Sequence, residues 1–237
     1  MIFAAGLGTR LYPITKDRPK ALAEINGVTL LEHNIRFLAA QGVDEMVVNV
    51  HHFADKLIEF LASKKNFGLQ IHISREKDLL DTAGGLAKAA PYFSDQDILL
   101  YNVDVVSNID LQKMLEQHRR SKALATLAIR KRNSSRYLLF DKDHQLQGWR
   151  NTKTGEEIRC REDFTGELNE FAFSGIHIVS SRLLKLLGAP RKHSLTPFYL
   201  DIAKNEKVLG YPHDADYWFD CGKPETLAKA EAFVGGR

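Results

Sequence analysis

MIFAAGLGTRLYPITKDRPK, residues 1–20, opens the chain with an apolar run that gives way to Gly6-Leu7-Gly8 and then to a bend around Pro13 and Pro19. Met1 to Ala5 read as a strand of the buried type, since no polar residue interrupts them. A glycine turn directly after a strand lets backbone N–H groups approach a phosphate. Arg10 and Lys20 then add one planar fork and one mobile point charge. A strand that ends in such a turn predicts an α/β protein with nucleotide chemistry at the strand's carboxyl end.

The chain beyond keeps that rhythm. Residues 27–41 read as a helix, because Leu30, Leu31, Ile35, Leu38 and Ala39 recur at helical spacing, with Thr29 as the cap and Gly42 as the stop. Met46-Val47-Val48-Asn49-Val50 is a short buried strand, 53–63 a second helix through Phe53, Leu57, Phe60 and Leu61, and Ile71 and Ile73 mark another strand. A loop containing Asp81-Thr82-Ala83-Gly84-Gly85 precedes a helix with Leu86, Ala87, Ala90 and Phe93. Ile98 to Val103 then form a strand that runs into Asp104. Strand and helix alternate through residue 129, which predicts a Rossmann-like, mainly parallel mixed sheet flanked by helices, with ligands at the carboxyl edge.

From about residue 130 the texture changes. Tyr137-Leu138-Leu139-Phe140 and Leu146-Gln147-Gly148-Trp149 are separated by turn signals, so a hairpin-rich insertion near 130–172 is expected as a small antiparallel subdomain. Phe171 to Val179 return to a buried strand, and helices are expected over 195–205 and 224–233. With no linker or repeat, residues 1–237 read as one domain.

Composition narrows the partners. A net charge of +3 over 237 residues suits a small anionic substrate and argues against nucleic acid, which needs concentrated Lys and Arg. Arg130-Lys131-Arg132 is the densest basic cluster and reads as the surface cap of a strand. Cys160 and Cys221 are too few and too far apart for a zinc knuckle or a disulfide framework, and read as free thiols. No apolar stretch would cross a membrane, and no export signal is legible, so a cytoplasmic protein is expected. His51-His52 are poorly arranged to share a metal. Ser174-Gly175 lacks the earlier glycine of a nucleophile elbow.

The glycines fit neither common phosphate fingerprint: no Gly-Lys-Ser/Thr follows them, and Leu11 stands where Gly-x-Gly-x-x-Gly needs its third glycine. Asp104 follows a largely apolar strand, and Asp220 sits in Tyr217-Trp218-Phe219-Asp220-Cys221-Gly222-Lys223-Pro224. If the fold joins them, two such carboxylates could hold a hard cation such as Mg²⁺ against phosphates. The small residues of 81–85 would let backbone approach a planar base.

Taken together, Ala4-Ala5-Gly6-Leu7-Gly8-Thr9-Arg10-Leu11-Tyr12-Pro13-Ile14-Thr15 with Pro19-Lys20 resembles the opening signature of the sugar-1-phosphate nucleotidyltransferases. Asp81 to Gly85 resemble that family's base-binding loop, and Asp220 to Pro224 its second metal-binding segment. The resemblance implies that Ala5, Gly6, Gly8 and Thr9 wrap a nucleoside triphosphate, with Arg10 on its outer phosphates and Lys20 neutralising the reacting ones. It implies Asp81, Thr82 and Gly84 at the base, and Asn102, Glu170 and Gly175 on the sugar side. Asp104 and Asp220 would bind Mg²⁺, and Arg10, Lys20, Asp104 and Asp220 form the implied catalytic set. The substrates would be a nucleoside triphosphate and a sugar 1-phosphate, in a monomer or homodimer.

Three features depart from the family pattern. Val103 replaces the usual glycine before the metal-binding aspartate, which would restrict backbone approach beside the phosphates. No Glu-Lys-Pro sugar-phosphate motif occurs, and Trp149-Arg150-Asn151-Thr152-Lys153 fill its place, leaving the sugar-phosphate cation unassigned. The first strand starts almost at residue 1, so one or two fewer ladder bonds are expected there. The compact outline is similar to N-acetylmuramate-1-phosphate uridylyltransferases and to mannose-1-phosphate guanylyltransferases, with UTP favoured. The alternative readings are a cytidylyltransferase of phosphocholine or a sugar acid, which could share this fold and opening, and a non-catalytic nucleotide-sugar binder, which Val103 and the missing motif keep open.

Overall fold

A computed structural model describes residues 1–236. The opening strand, β1 (Ile2–Phe3), is only two residues long. The chain then makes a hairpin of β2 (Glu24–Ile25) and β3 (Val28–Thr29) before helix α1 (Leu30–Ala40), so the expected helix start at 27 is displaced by the turn at Asn26-Gly27. Thr29 does cap α1, its Oγ1 accepting from the Glu32 amide at 3.2 Å. Next come β4 (Glu45–Val50), α2 (Ala54–Ser63), β5 (Gln70–Arg75), α3 (Asp81–Ala89), β6 (Ile98–Asn102), β7 (Val105–Ser107) and α4 (Leu111–Ser121).

The second part holds β8 (Ala125–Arg130), β9 (Arg136–Phe140), β10 (Leu146–Asn151), β11 (Glu157–Arg159) and the long β12 (Asn169–Val179). After these follow α5 (Arg182–Leu187), α6 (Leu195–Ile202), β13 (Val208–Pro212), β14 (Trp218–Asp220) and α7 (Pro224–Gly235).

The main sheet is mixed, as expected. Its path runs β11-β10-β9-β12-β6-β1-β4-β5, with β8 and β13 joined on the other edge of β12. The β6-β1-β4-β5 block is parallel. The strand–helix rhythm does not reveal that β12 enters antiparallel between β6 and β8. Because β12 runs against both, β6 and β8 point the same way and end at one edge. Its first residues pair instead with β9, so the hairpins β9-β10-β11 grow from the same strand.

Both faces of the sheet are covered, which explains the unbroken apolar runs. Side chains alternate along each strand. Phe3, Val47 and Leu100 join a cluster with Leu86, Leu183 and Tyr199 on one face. Ile2, Val48 and Tyr101 join Ile35, Leu57 and Met114 on the other. A smaller cluster of Leu11, Ile25, Val106, Cys221 and Leu227 packs α7 beneath the opening loop. Each fully buried Leu or Ile contributes roughly 1.5–3 kcal/mol of transfer free energy. Leu11, wholly buried, is therefore the main apolar anchor of a largely exposed loop.

Candidate active site at the carboxyl edge of the sheet

The loop after β1 is shaped by its own sequence. Gly8 has φ +69°, the left-handed region that a side chain resists, and its carbonyl accepts from Thr15 Oγ1 at 2.9 Å. Thr9–Leu11 make one 3₁₀ turn, which sends Leu11 inward and leaves Thr9 and Arg10 exposed. A second 3₁₀ turn, Lys20–Leu22, returns the chain to the crevice with Lys20 at its start.

Two distant aspartates meet here because of strand register. Asp104 lies in the turn from β6 to β7, and β14 pairs antiparallel with β7 so that Asp220 stands opposite Val105. The Cys221 amide donates to the Asp104 carbonyl at 2.7 Å, stitching the two segments together. Lys20 Nζ is 2.8 Å from Asp104 Oδ2, a charge-assisted bond between side chains only 17% and 9% exposed. Arg10 spans both acids at longer range, 3.8 Å from Asp104 and 3.9 Å from Asp220, with a half-exposed side chain. Such a loose exposed pairing contributes little to stability and leaves the guanidinium free to turn towards a ligand. Cys221 lies buried beneath, its thiol pushed up to about 12 by burial and then by the charges of Asp104 and Asp220, so it stays protonated.

A Cβ added to Gly222 would stand 2.5 Å from Arg10 Nη2, 2.8 Å from Asp220 Oδ1 and 3.0 Å from Asp104 Oδ2. The missing side chain thus leaves a space faced by two carboxylate oxygens. Among the described residues no three His, Cys, Asp or Glu side chains gather into a metal cage. The donor set suits a hard cation that takes one or two carboxylates and completes its shell with water and phosphate.

The crevice beside these charges has a volume of ≈ 380 Å³. Of the sequence candidates, Ala5, Gly6, Arg10, Lys20, Asp81, Thr82, Asn102 and Asp104 line it. A larger cavity, ≈ 420 Å³, opens at the amino ends of the same strands. Its Asp97 is already paired with Arg119 at 2.9 Å, and open α/β sheets bind ligands at the other edge.

Other candidates sit differently. Asp81 to Gly85 are the first turns of α3 rather than a loop before a helix. The amides of Ala83 and Gly84 donate to the His193 carbonyl, and Thr82 Oγ1 accepts from the Leu195 amide. Gly84 is buried against the 190s loop, where a Cβ would stand 2.0 Å from the Arg191 carbonyl oxygen. Its smallness therefore serves helix–loop packing, and Gly84 does not itself line the crevice. Glu170 is exposed on β12 and ion-paired with Arg150, five residues along the strand from Gly175, away from the crevice. Gly175, on the strand beside β6, adjoins the crevice-lining Asn102: a Cβ on it would stand 2.8 Å from Asn102 Nδ2. Val103 directs its side chain wholly into the core, and its carbonyl accepts from Asn34 Nδ2 at 2.8 Å, so the valine does not crowd the crevice.

Three contributors escape the sequence reading. Glu76, only 3% exposed, lines the crevice just past β5. Its carboxylate accepts from Asn49 Nδ2 at 2.7 Å and from the Leu80 amide at 3.0 Å, while Asn49 Oδ1 accepts from the Ala4 amide. A carboxylate straight after a strand was the available signal. Arg132 lies two residues past β8 at the same edge, half-buried rather than at the surface as expected. Its guanidinium is 4.6 Å from the Trp218 ring centroid. Trp218, the third, fixes β14 to β12 through an Nε1 bond to the Ser174 carbonyl at 2.9 Å.

With this geometry in place, the whole-chain comparison is decisive: the family model described as nucleotidyl transferase matches residues 1–236. The chain belongs to the nucleotidyl transferase family. It is thus an enzyme, and the non-catalytic reading falls. The general reaction is transfer of a nucleotidyl group from a nucleoside triphosphate to a sugar 1-phosphate.

An N-acetylmuramate alpha-1-phosphate uridylyltransferase of Caulobacter vibrioides is 29% identical over 240 residues, covering 98% of this chain and 95% of that protein. A D-glycero-alpha-D-manno-heptose 1-phosphate guanylyltransferase of Aneurinibacillus thermoaerophilus is 26% identical over 235 residues, covering 98% and 96%. The crystal structure of HddC from Yersinia pseudotuberculosis complexed with GMP-PN superposes with a TM-score of 0.77 at 21% identity, covering 98% and 97% of the two chains, and supports the fold. No helix among the described residues is long and apolar enough to cross a membrane.

Proposed function

We propose that the enzyme transfers a uridylyl group from UTP to a hexose 1-phosphate of the N-acetylmuramate type, with Mg²⁺ held by Asp104 and Asp220. One observation carries this reading: Arg10, Lys20, Asp104 and Asp220 gather around Gly222 beside the crevice at the carboxyl edge. The preference for UTP rests on similarity to uridylyltransferases of nearly the same length. The similar heptose guanylyltransferase favours GTP as the second reading.

In this mechanism a non-bridging oxygen of the sugar phosphate attacks the α-phosphorus, and the bond from that phosphorus to the bridging oxygen of pyrophosphate breaks. The attacking phosphate is already anionic at neutral pH, so no side chain needs to take a proton. When bound, Mg²⁺ supplies charge neutralisation on the triphosphate. Gly6 offers close backbone approach, Arg10 swings onto the outer phosphates, and Lys20 offsets charge at the reacting ones. Rate then comes from alignment and preorganised charge. Glu76, fixed by Asn49 and Leu80, presents a buried acceptor wall to a base N–H.

The test is a matrix of UTP, GTP, CTP, ATP and dTTP against several sugar 1-phosphates with Mg²⁺, products identified by mass. UDP-N-acetylmuramate with pyrophosphate is the expected principal product. Exclusive use of GTP, or of a phosphocholine acceptor, would replace this reading.

A further inference from the structure

An incoming sugar 1-phosphate, on the reading above, must bring a dianion up to a polyanion. Repulsion between them is large in a dry crevice unless a cation meets the acceptor phosphate. Lys20 is held by Asp104, and Arg10 is assigned above to the outer phosphates of the triphosphate. Arg150, the cation in the region of the absent family motif, is neutralised by Glu157 and Glu170. We propose that Arg132 is the residue that binds the acceptor phosphate, an assignment resting on the transfer reaction proposed above.

Four observations point to it. Arg132 lies just beyond β8, whose carboxyl end shares the edge that holds Asp104. Its guanidinium stacks on Trp218, and Trp218 and Asp220, two apart on β14, present their side chains on the same face. Its Nη2 donates to the Phe173 carbonyl at 3.1 Å, two residues before Gly175, which backs onto the crevice-lining Asn102. Its Nε is buried with no partner, and no ion pair among the described residues involves it.

A guanidinium carries five N–H donors in a fixed fork. Carbonyls of Phe173 and Asn133 take two of them, and the Nε–H remains with N–H groups on both Nη atoms. That remainder fits a phosphate edge. The half-buried charge has no carboxylate in direct contact, only Asp220 at longer range, and an arriving dianion offsets the remaining cost. Burial weakens the side chain's hold on its proton and Asp220 partly restores it, consistent with a cation poised beside the reaction centre. The pairing forms no covalent bond: the sugar-phosphate oxygen bonds to the α-phosphorus, pyrophosphate leaves with the electron pair, and Arg132 offsets charge on the attacking phosphate.

The experiment compares Arg132→Met and Arg132→Lys with the wild type in steady-state transfer from UTP to N-acetylmuramate 1-phosphate, with calorimetric Mg·UTP binding and circular dichroism alongside. Arg132→Met should raise KM for the sugar phosphate roughly 10–100-fold, the worth of one charged hydrogen-bonded contact, and leave KM for UTP within about twofold. Arg132→Lys should fall between, keeping the charge without the fork. An unchanged sugar-phosphate KM in Arg132→Met overturns the assignment. So does a parallel rise in both KM values with weakened UTP binding, the mark of a structural role. If Arg132→Met does not fold, the split between the two KM values in Arg132→Lys decides. Failure of the wild type to use any sugar 1-phosphate overturns the functional reading itself, and is seen before any variant is compared.

Discussion

The crevice and the flank beside it are built on different principles. The crevice, the nucleotide side on the proposed reading, comes from β1, β4, β5 and β6, parallel strands whose carboxyl ends deliver Gly6, Glu76 and Asp104 to one edge. There the functional groups sit a residue or two past a strand, and right-handed crossovers leave little choice about where those ends meet. The flank beside it, the sugar side on the proposed reading, comes from β8, β12 and β14, where antiparallel pairing decides the outcome. Asp220 reaches Asp104 only because β14 pairs with β7 in one register, and Arg132 reaches Trp218 through contacts with β12. A one-residue slip would turn Asp220 to the other face of its strand. The crevice is set by topology and its flank by register.

The sharpest way to break that division is Gly222→Ala. The new Cβ would press on Arg10, Asp220 and Asp104 at once, so transfer should fall about 100-fold, the cost of an ångström-scale misplacement. The measurement is kcat against melting temperature. Loss of stability without loss of rate would mean the contact is not at the reaction centre.

Gly84→Ala probes the topology-set half, where α3 packs backbone to backbone on the 190s loop. Its Cβ would stand 2.0 Å from the Arg191 carbonyl oxygen, so α3 must move, at a cost of about 1–3 kcal/mol. Thermal melting should register this as a Tm lower by about 2–10 °C. A base-binding role for Gly84 would instead appear as a raised KM for UTP with an unchanged Tm.

Acid should loosen the register-set side first. Burial lowers His213 to about 4, with the charge of Arg130 adding to the shift, and lowers the buried His177 to about 3. Both are bases held neutral in the fold. Their stability contribution is complete above the unfolded value near 6.5 and is lost as pH falls from there, towards about 4 for His213 and about 3 for His177. His213 holds Ser174 Oγ at 2.7 Å, so Tm should decline below pH 6.5 less steeply in His213→Asn than in the wild type. Equal slopes would remove His213 from the account.

Glu170→Gln should do least. The pair with Arg150 lies on the exposed face of the hairpins, where such bridges contribute about 0–1 kcal/mol, and both KM values should stay within twofold. A tenfold rise in the sugar-phosphate KM would return Glu170 to the sugar site.

This contrast explains what the sequence made legible. The opening signature, the strand ahead of Asp104 and the aromatic strand ahead of Asp220 carry their meaning locally, and the structure brings Arg10, Lys20, Asp104 and Asp220 together. The β2-β3 hairpin had a local signal too, in Asn26-Gly27, which the helical spacing of 27–41 overshadowed. Glu76 follows the same strand-end rule as Asp104. Arg132 read as a surface cap because its neighbours are charged, and only packing against Trp218 and Phe173 gives it a place beside the site. Glu170 was carried over by resemblance, and the ion pair that turns it to the hairpins is a matter of strand pairing.

The central claim is that Asp104, from the side set by topology, and Asp220, from the side set by register, share one Mg²⁺. The direct measurement is the rate of pyrophosphate release against Mg²⁺ concentration for the wild type and Asp220→Ala at saturating substrates. The wild type should show saturable activation, and Asp220→Ala a low rate that no longer responds to Mg²⁺ over the same range. An unaltered Mg²⁺ titration in Asp220→Ala would contradict the shared centre.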